Sequence, residues 1–497
     1  MAIPKVMGIE TEYGITVPDQ ADFNPVLASS VLINSYVASE LRRVRWDYEE
    51  ETPLRDARGY ETVAAMEPPS DEELGLANVI LTNGARYYVD HAHPEYSTPE
   101  CSNPRDLVVH DKAGELILER SIARATEAMP RQQRVLVYKN NTDGKGASYG
   151  THENYLVDRA TPFPRIVHDI IPYFVTRQIF LGAGLLGGHV EQPEGSERFQ
   201  VSQRADFFEV EVGLETTLKR PIVNTRDEPH ADPERYRRLH VIIGDANMSE
   251  VAIYLKTGIT AIVLMMIEDE AVTDDWSLEN PVQALRGISH DLTCRRTVRT
   301  KSGRAVRAVD VQWGYHEMAR KYLMQAEQPP AWAADVMTRW EETLAALERD
   351  PMTLERTVDW VAKYKLLEGY RGKHGMAWDD PKLSMLDLQY HDVRRDKGLA
   401  NVLTRKGKLE RLTSDEEIAR AVEEPPTDTR AYFRGRCLAK YANQVAAASW
   451  DSVIFDTGGD SMQRVPMHEP LRGTQSMVDD LLAASPTAHD LLKKLQG

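Results

Sequence analysis

Residues 84–100, GARYYVDHAHPEYSTPE, constrain this chain more than any other stretch. Tyr87, Tyr88 and Val89 favour a pleated surface. Successive side chains of a strand point to opposite faces. Arg86, Tyr88 and Asp90 therefore share one face, and Tyr87 and Val89 take the other. One face is charged and the other is suited to a core. Past a turn expected around Pro94, Glu95 and Glu100 add two more acids, with Thr98 in phase with Glu100.

Residues 5–16, KVMGIETEYGIT, repeat the design. Glu10 and Glu12 fall on one face with Gly8 and Gly14, while Ile9, Thr11, Tyr13 and Ile15 take the other. Acids on the inner face of a hydrophobic strand are costly unless something positive meets them. A hard cation such as Mg²⁺ prefers oxygen ligands. Taken alone, Glu10 and Glu12 read equally well as the wet face of a half-exposed strand. Two acid-bearing strands together favour a metal site. Residues 207–212, FFEVEV, put Glu209 and Glu211 on one face in the same manner.

Cations complete the set. His152 follows a glycine-rich turn at residues 143–150. Arg226 lies in NTRDEPH, and Arg238 and His240 in RYRRLHVIIGDAN. These groups can donate to phosphate oxygens. Asp90 is the best nucleophile or base, and the charge of Arg86 helps keep it ionised. The pattern fits phosphoryl chemistry assisted by a metal. It does not choose a substrate.

The rest of the chain bounds the setting. At 497 residues more than one domain is expected. A net charge of −17 argues against general nucleic-acid binding. The apolar run 258–267, GITAIVLMMI, is too short to span a bilayer and reads as a buried helix, so no membrane segment is expected. The first residues lack the basic-then-apolar pattern of a secretory signal. Cys101, Cys294 and Cys437 are widely spaced, which fits buried thiols in a reducing cytoplasm.

Helices are expected at 25–43, with a stripe of Leu27, Val31, Ala38 and Leu41, at 111–127 and at 163–181. Residues 268–424 read as mostly helical, with Trp313, Trp332, Trp340 and Trp360 in the core. Pro425-Pro426 marks the boundary between a unit of residues 1–424 and a small unit of residues 425–497. The second has a helix at 433–447, Trp450 opening a strand at 452–456, and a closing helix from Met477.

Five stretches carry a family likeness: GIETEYG, NGARYYVDHAHPEYSTPE, YKNNTDGKGASYGTHENY, NTRDEPHADPERYRRLHVIIGDANMSE and SWDSVIFDTGGDS. They resemble the Pup ligase/depupylase family, a branch of the glutamine synthetase-like carboxylate–amine ligases. The likeness runs through nearly the whole chain. HAHPE after the aspartate, the polar insert at residues 49–74 and the DSVIFDTGGDS ending resemble the depupylase branch, whereas GIETEYG is closer to the ligase wording.

The resemblance implies an α+β fold: a glutamine synthetase-like curved antiparallel sheet forming a cradle, backed by helices, with a small C-terminal α+β domain. It implies deamidation of the C-terminal glutamine of the small protein Pup to glutamate and cleavage of Pup from substrate lysines, with ATP-dependent Pup ligation as the alternative. The implied cofactors are ATP, or ADP plus phosphate, and Mg²⁺. The implied partner is Pup, free or conjugated, with no nucleic acid and no membrane. Residue by residue, Asp90 matches the catalytic aspartate. Glu10, Tyr88 and Glu95 match metal ligands, with Glu12 and His152 beside them. Arg86, Thr98, Glu100, Arg226, Arg238, His240 and Trp450 fall in the nucleotide and phosphate region.

Overall fold

The computed structural model describes residues 2–18, 23–38, 41–49, 51–59, 77–128, 134–187, 198–459 and 461–496. Most of the insert expected at 49–74 lies outside the described residues. An open six-stranded antiparallel sheet organises the rest. Its order is Tyr236–Val241, Thr151–Asp158, Met7–Glu12, His93–Ser97, Arg86–Asp90, Asn78–Ile80. The sheet is amphipathic because its strands alternate. Met7, Ile9, Tyr155, Val157, Leu239 and Val241 are buried in one core with the helices Phe163–Thr176 and Glu250–Glu268. Tyr87, Val89 and Tyr96 enter a second core with the helices Pro25–Tyr36 and Pro104–Ala128. Each large apolar side chain buried in this way contributes roughly 1.5–3 kcal/mol. The opposite face is left to the polar residues.

The apolar run at 258–267 belongs to a longer helix, Glu250–Glu268, with Ser249 as its N-cap accepting from Ala252 N–H. By length and composition this helix could cross a membrane, but nearly all of it is buried inside the protein. It is apolar all round because it is packed on every side. Trp340 and Trp360 are fully buried, while Trp313 and Trp332 pack on the core from its edge.

Several expectations are corrected. The reversal after Asp90 is made by His91, with φ of 52°, and Ala92; Pro94 stands inside a strand, opposite Val89. Val89 gives its N–H to Ala77 on its other side, so it needs no bond from Pro94. The first helix is Pro25–Tyr36, not 25–43; Val37 is extended. Its buried stripe is Ala28, Leu32 and Ile33, and Leu27 is exposed. Among the described residues Phe208–Gly213 pairs only with Arg220–Asn224, in parallel and outside the main sheet, and Glu209 and Glu211 face solvent. The helix at 433–447 is Ala431–Tyr441, because Val445–Ala448 is taken up as a strand.

That strand builds the second sheet, ordered Gln463–Pro466, Ser452–Phe455, Val445–Ala448, Arg45–Trp46. Its last strand comes from the N-terminal part of the chain and pairs in parallel. The C-terminal unit is thus completed by residues 45 and 46. This pairing sets Trp46 edge-on to Trp450, with ring centroids 5.7 Å apart.

Candidate active site

Strand register assembles the site. Glu10 stands opposite both Ser97 and His152, and Ser97 stands opposite Arg86. Glu12 stands opposite Glu95, and Glu95 opposite Tyr88. Residues directly across an antiparallel pair share a face. Two rows therefore cross the sheet, His152–Glu10–Ser97–Arg86 and Glu12–Glu95–Tyr88. They floor a cavity of about 440 Å³. Of the thirteen residues expected at the site, all but Thr98 and Glu100 line it. Arg226, Arg238, His240 and Trp450 come from its walls.

Thr98 and Glu100 line an adjoining, mostly apolar cleft of about 80 Å³ that shares Glu10, Arg238 and Trp450 with the cavity. Thr98 Oγ1 accepts the Ile9 N–H at 3.0 Å. Glu100 is already engaged: Arg430 Nε donates to it at 2.8 Å, and Arg434 pairs with its other oxygen. Both of its carboxylate oxygens thus meet guanidinium groups at the edge of the cleft.

Short contacts fix the remaining groups. Tyr88 Oη donates to Glu95 Oε1 at 2.5 Å. The Arg86 guanidinium lies between two rings, 3.7 Å from the centroid of Trp46 and 3.8 Å from that of Tyr88. Asn154 Nδ2 donates to Glu10 Oε1 at 2.8 Å, and His152 Nδ1 lies 3.6 Å from Glu10 Oε2. Gly150 N–H donates to Glu12 Oε1 at 2.8 Å. A Cβ at position 150 would lie 2.2 Å from His152 Nε2 and 2.8 Å from that same oxygen. Only glycine lets the loop come this close to both.

The acids divide into two electrostatic kinds. Burial alone would lift the Glu10 carboxyl, but His152, His240 and Arg238 outweigh it and hold it well below the usual range. Asp90 is likewise held down against burial by His91, then by His152 and Arg86. His91 Nδ1 lies 2.8 Å from Asp90 Oδ2, and this contact pushes the imidazole up to about 9. Glu95 goes the other way. Burial, then the charges of Asp90, Glu10 and Glu12, drive its carboxyl well above the usual range. Burial forces His240 well below its ordinary value, against the pull of Glu10.

The site also holds residues that the sequence reading did not single out. His91 and His93 follow Asp90 within HAHPE, and their proximity to the aspartate was the available signal. Glu51 lines the wall and accepts from Trp46 Nε1 at 2.6 Å. Arg204, almost wholly buried, and Arg220 line the far end. Nothing local to Arg204 marked it, since only the fold brings it here.

Two donor sets are close enough to share an ion: Glu10, His152 and His240, and Glu12, Asp90 and His91. Within each set the donor atoms lie within 4.8 Å of one another. The second set, with Glu95 beside it, is rich in carboxylate oxygen, which suits a hard divalent cation. Glu95 is raised first by burial and then by the acids around it, so a cation among these carboxylates would offset both.

Comparison with known proteins agrees with this geometry. The family model described as Pup-ligase protein matches residues 5–454. A depupylase of Acidothermus cellulolyticus is 58% identical over 99% of each chain. A Pup deamidase/depupylase of Mycolicibacterium smegmatis is 50% identical, again over 99% of each chain. The structure of a Pup ligase in complex with ADP is similar with a TM-score of 0.73 and 34% identity, covering 88% of this chain and 98% of that one. The open sheet, its acid-bearing face and the matched length together identify this chain as a member of the Pup-ligase family, which includes the depupylases.

Proposed function

We propose that this chain is a nucleotide- and Mg²⁺-dependent amidohydrolase acting on Pup. It deamidates the C-terminal glutamine of Pup and cleaves the isopeptide bond between Pup and a substrate lysine. The observation that carries the reading is Asp90: an ionised, partly exposed carboxylate on the cradle face, 2.8 Å from an imidazole that is protonated at neutral pH. The depupylase and deamidase/depupylase relatives match over full length, which favours hydrolysis over ligation.

The chain's own groups supply the chemistry. Asp90 Oδ attacks the side-chain carbonyl carbon of the terminal residue, and the carbonyl π electrons move to oxygen. Arg86 and Arg226 stabilise that oxygen as its charge grows. The oxyanion collapses, the C–N bond breaks, and the amine leaves as ammonia or lysine, taking a proton from the His91 imidazolium, which regains one from the water of the next step. Water then hydrolyses the acyl–Asp90 anhydride, giving a glutamate carboxylate and free Asp90. In the alternative route Asp90 takes a proton from the attacking water. Mg²⁺ and a nucleotide, when bound, supply positive charge and phosphate groups that complete the site. Glu10, Glu12, Tyr88 and Glu95 would hold the ion, with His152 beside them. Arg238 and His240 would meet the phosphates, and Thr98 and Trp450 would border the nucleotide. Free, buried Cys101, Cys294 and Cys437 support a cytoplasmic setting.

One assay tests the reading. Pup ending in glutamine is incubated with the protein, Mg²⁺ and ATP. Release of ammonia without a conjugate is the expected result. Joining of glutamate-ended Pup to a lysine protein, with ATP consumed for each bond, would establish the ligase alternative instead.

A further inference from the structure

Residues 51–58 start at the cavity wall, which Glu51 and Pro53 line, and go on as a mostly exposed segment with one buried member. Thr52, Leu54, Arg55 and Arg58 are exposed, whereas Asp56 is only 6% exposed. A carboxylate withdrawn from water in this way must be paired. Asp56 accepts from Arg58 Nε at 3.0 Å and Nη2 at 2.6 Å, from Arg58 N–H at 2.8 Å, and from Thr225 Oγ1 at 2.9 Å. Backbone bonds continue the attachment. Ala57 N–H donates to the Thr225 carbonyl and Asp227 N–H to the Arg55 carbonyl, both at 2.8 Å. Asp56 and Arg226 form an antiparallel bridge. Thr52 N–H donates to Glu228 Oε1 at 2.6 Å. The segment is thus stitched to residues 225–228 on both sides of Arg226.

Arg226 has no such fixing of its own. Its guanidinium lines the cavity, its Nε is buried without a hydrogen-bond partner, and no carboxylate pairs with it among the described residues. Its charge bears on His91, Arg238 and His240, none of which attracts it. Acids line the same cavity without pairing with it, and the backbone beneath it is held by the bonds from residues 52–57.

We propose that Asp56 is a positioning residue: by clamping residues 225–227 it holds the Arg226 guanidinium in the cavity, aimed at anionic oxygen. That oxygen is either on a phosphate group or on the scissile amide as it becomes an oxyanion. The proposal rests on the hydrolase reading above and assigns to the segment a task in the same site.

The test is a pair of double-mutant cycles on the full chain, Asp56→Asn with Arg226→Ala and Thr225→Val with Arg226→Ala. Two readouts are taken: calorimetric binding of ADP with Mg²⁺, and ammonia release from glutamine-ended Pup. Removing a group that orients another across one contact costs on the order of 10–100-fold in comparable sites. Asp56→Asn is expected to lose that much in one or both readouts. In the Arg226→Ala background the same change is expected to cost nothing further, because groups acting through one another are not additive. A loss in ADP affinity assigns the oxygen to phosphate, and a loss confined to kcat assigns it to the amide. Thr225→Val removes one hydroxyl from the clamp and carries the test if Asp56→Asn fails to fold. Losses that multiply in the double variants would overturn the proposal, as would folded single variants with unchanged binding and rate. Absence of ammonia release from the unsubstituted protein would instead remove the hydrolase reading, and the ADP cycle would still decide the role of Asp56.

Discussion

Glu95 and Glu100 are five residues apart and both lie largely withdrawn from water, yet their surroundings are opposite. Glu100 meets two guanidinium groups, Arg434 and Arg430, which overcome burial and bring its carboxyl down to about 2. Glu95 meets three other acids and one phenol, and its carboxyl is driven far up. The first arrangement is complete within the protein and joins the cradle to the C-terminal unit. The second leaves acids facing one another with no guanidinium between them, a donor set that suits a cation. A buried charge matched by its neighbours is structure, and one left unmatched marks a site.

The sharpest test of the unmatched side is Asp90→Asn. If Asp90 attacks or activates water, the rate of ammonia release falls by about 10⁴-fold or more, the scale seen when a reacting group is removed. Full turnover by this variant would remove the cradle's claim to be the site. On the matched side, Glu100→Gln leaves Arg430 and Arg434 without their anion and is expected to cost about 3 kcal/mol of stability, measured by denaturant unfolding. The pH dependence follows from the same pair. The folded carboxyl titrates at about 2, against an ordinary value of 4.5. A depressed folded value means the contribution is whole above 4.5 and is lost as pH falls from there towards about 2. Acid unfolding should therefore begin earlier in the native protein than the other carboxylates require, and Glu100→Gln should flatten that limb.

Glu95→Gln brings the two sides into direct contrast. It removes a carboxyl whose ionisation burial and the neighbouring acids disfavour, so the protein without nucleotide is expected to unfold at a higher temperature. Affinity for ADP with Mg²⁺ should fall by about 10–100-fold. A gain in stability with a loss of binding is the signature of a residue kept for function. Loss of both would mean that Glu95, like Glu100, is paired for structure.

Much of the cradle was legible because a strand's period of two is short and unambiguous. Arg86, Tyr88 and Asp90 on one face, with Tyr87 and Val89 on the other, needed only local spacing, and the structure has that alternation. The register between strands was not legible. That Glu95 lies across from Tyr88 depends on a turn at His91 that sequence reasoning placed at Pro94, and that Glu12 lies across from Glu95 is a pairing of strands some eighty residues apart that no local spacing reveals. The first helix starts at Pro25 as its sequence implies but ends earlier, because Leu27, Val31, Ala38 and Leu41 keep helical spacing past the residue where the backbone turns out. Arg204 and the joining of Arg45–Trp46 to a sheet some four hundred residues away are products of the fold alone.

Glu209 and Glu211 show where the same spacing misleads. FFEVEV alternates as faithfully as GIETEYG, and both place two acids in phase. The difference lies in what covers the acidic face. Glu10 and Glu12 stand on an interior strand, bounded by strands on both sides and walled by Arg238 and His152. Glu209 and Glu211 stand on a two-stranded sheet with water above them. Exposed carboxylates of this kind need no partner, and their removal is expected to change stability by no more than about 0.5 kcal/mol. Glu209→Gln and Glu211→Gln, singly or together, should leave ammonia release and ADP binding within about twofold of the unsubstituted protein. A larger loss would mean that this edge takes part in holding the substrate chain, and the division between matched and unmatched acids would have to admit a third class that acts at a distance from the cradle.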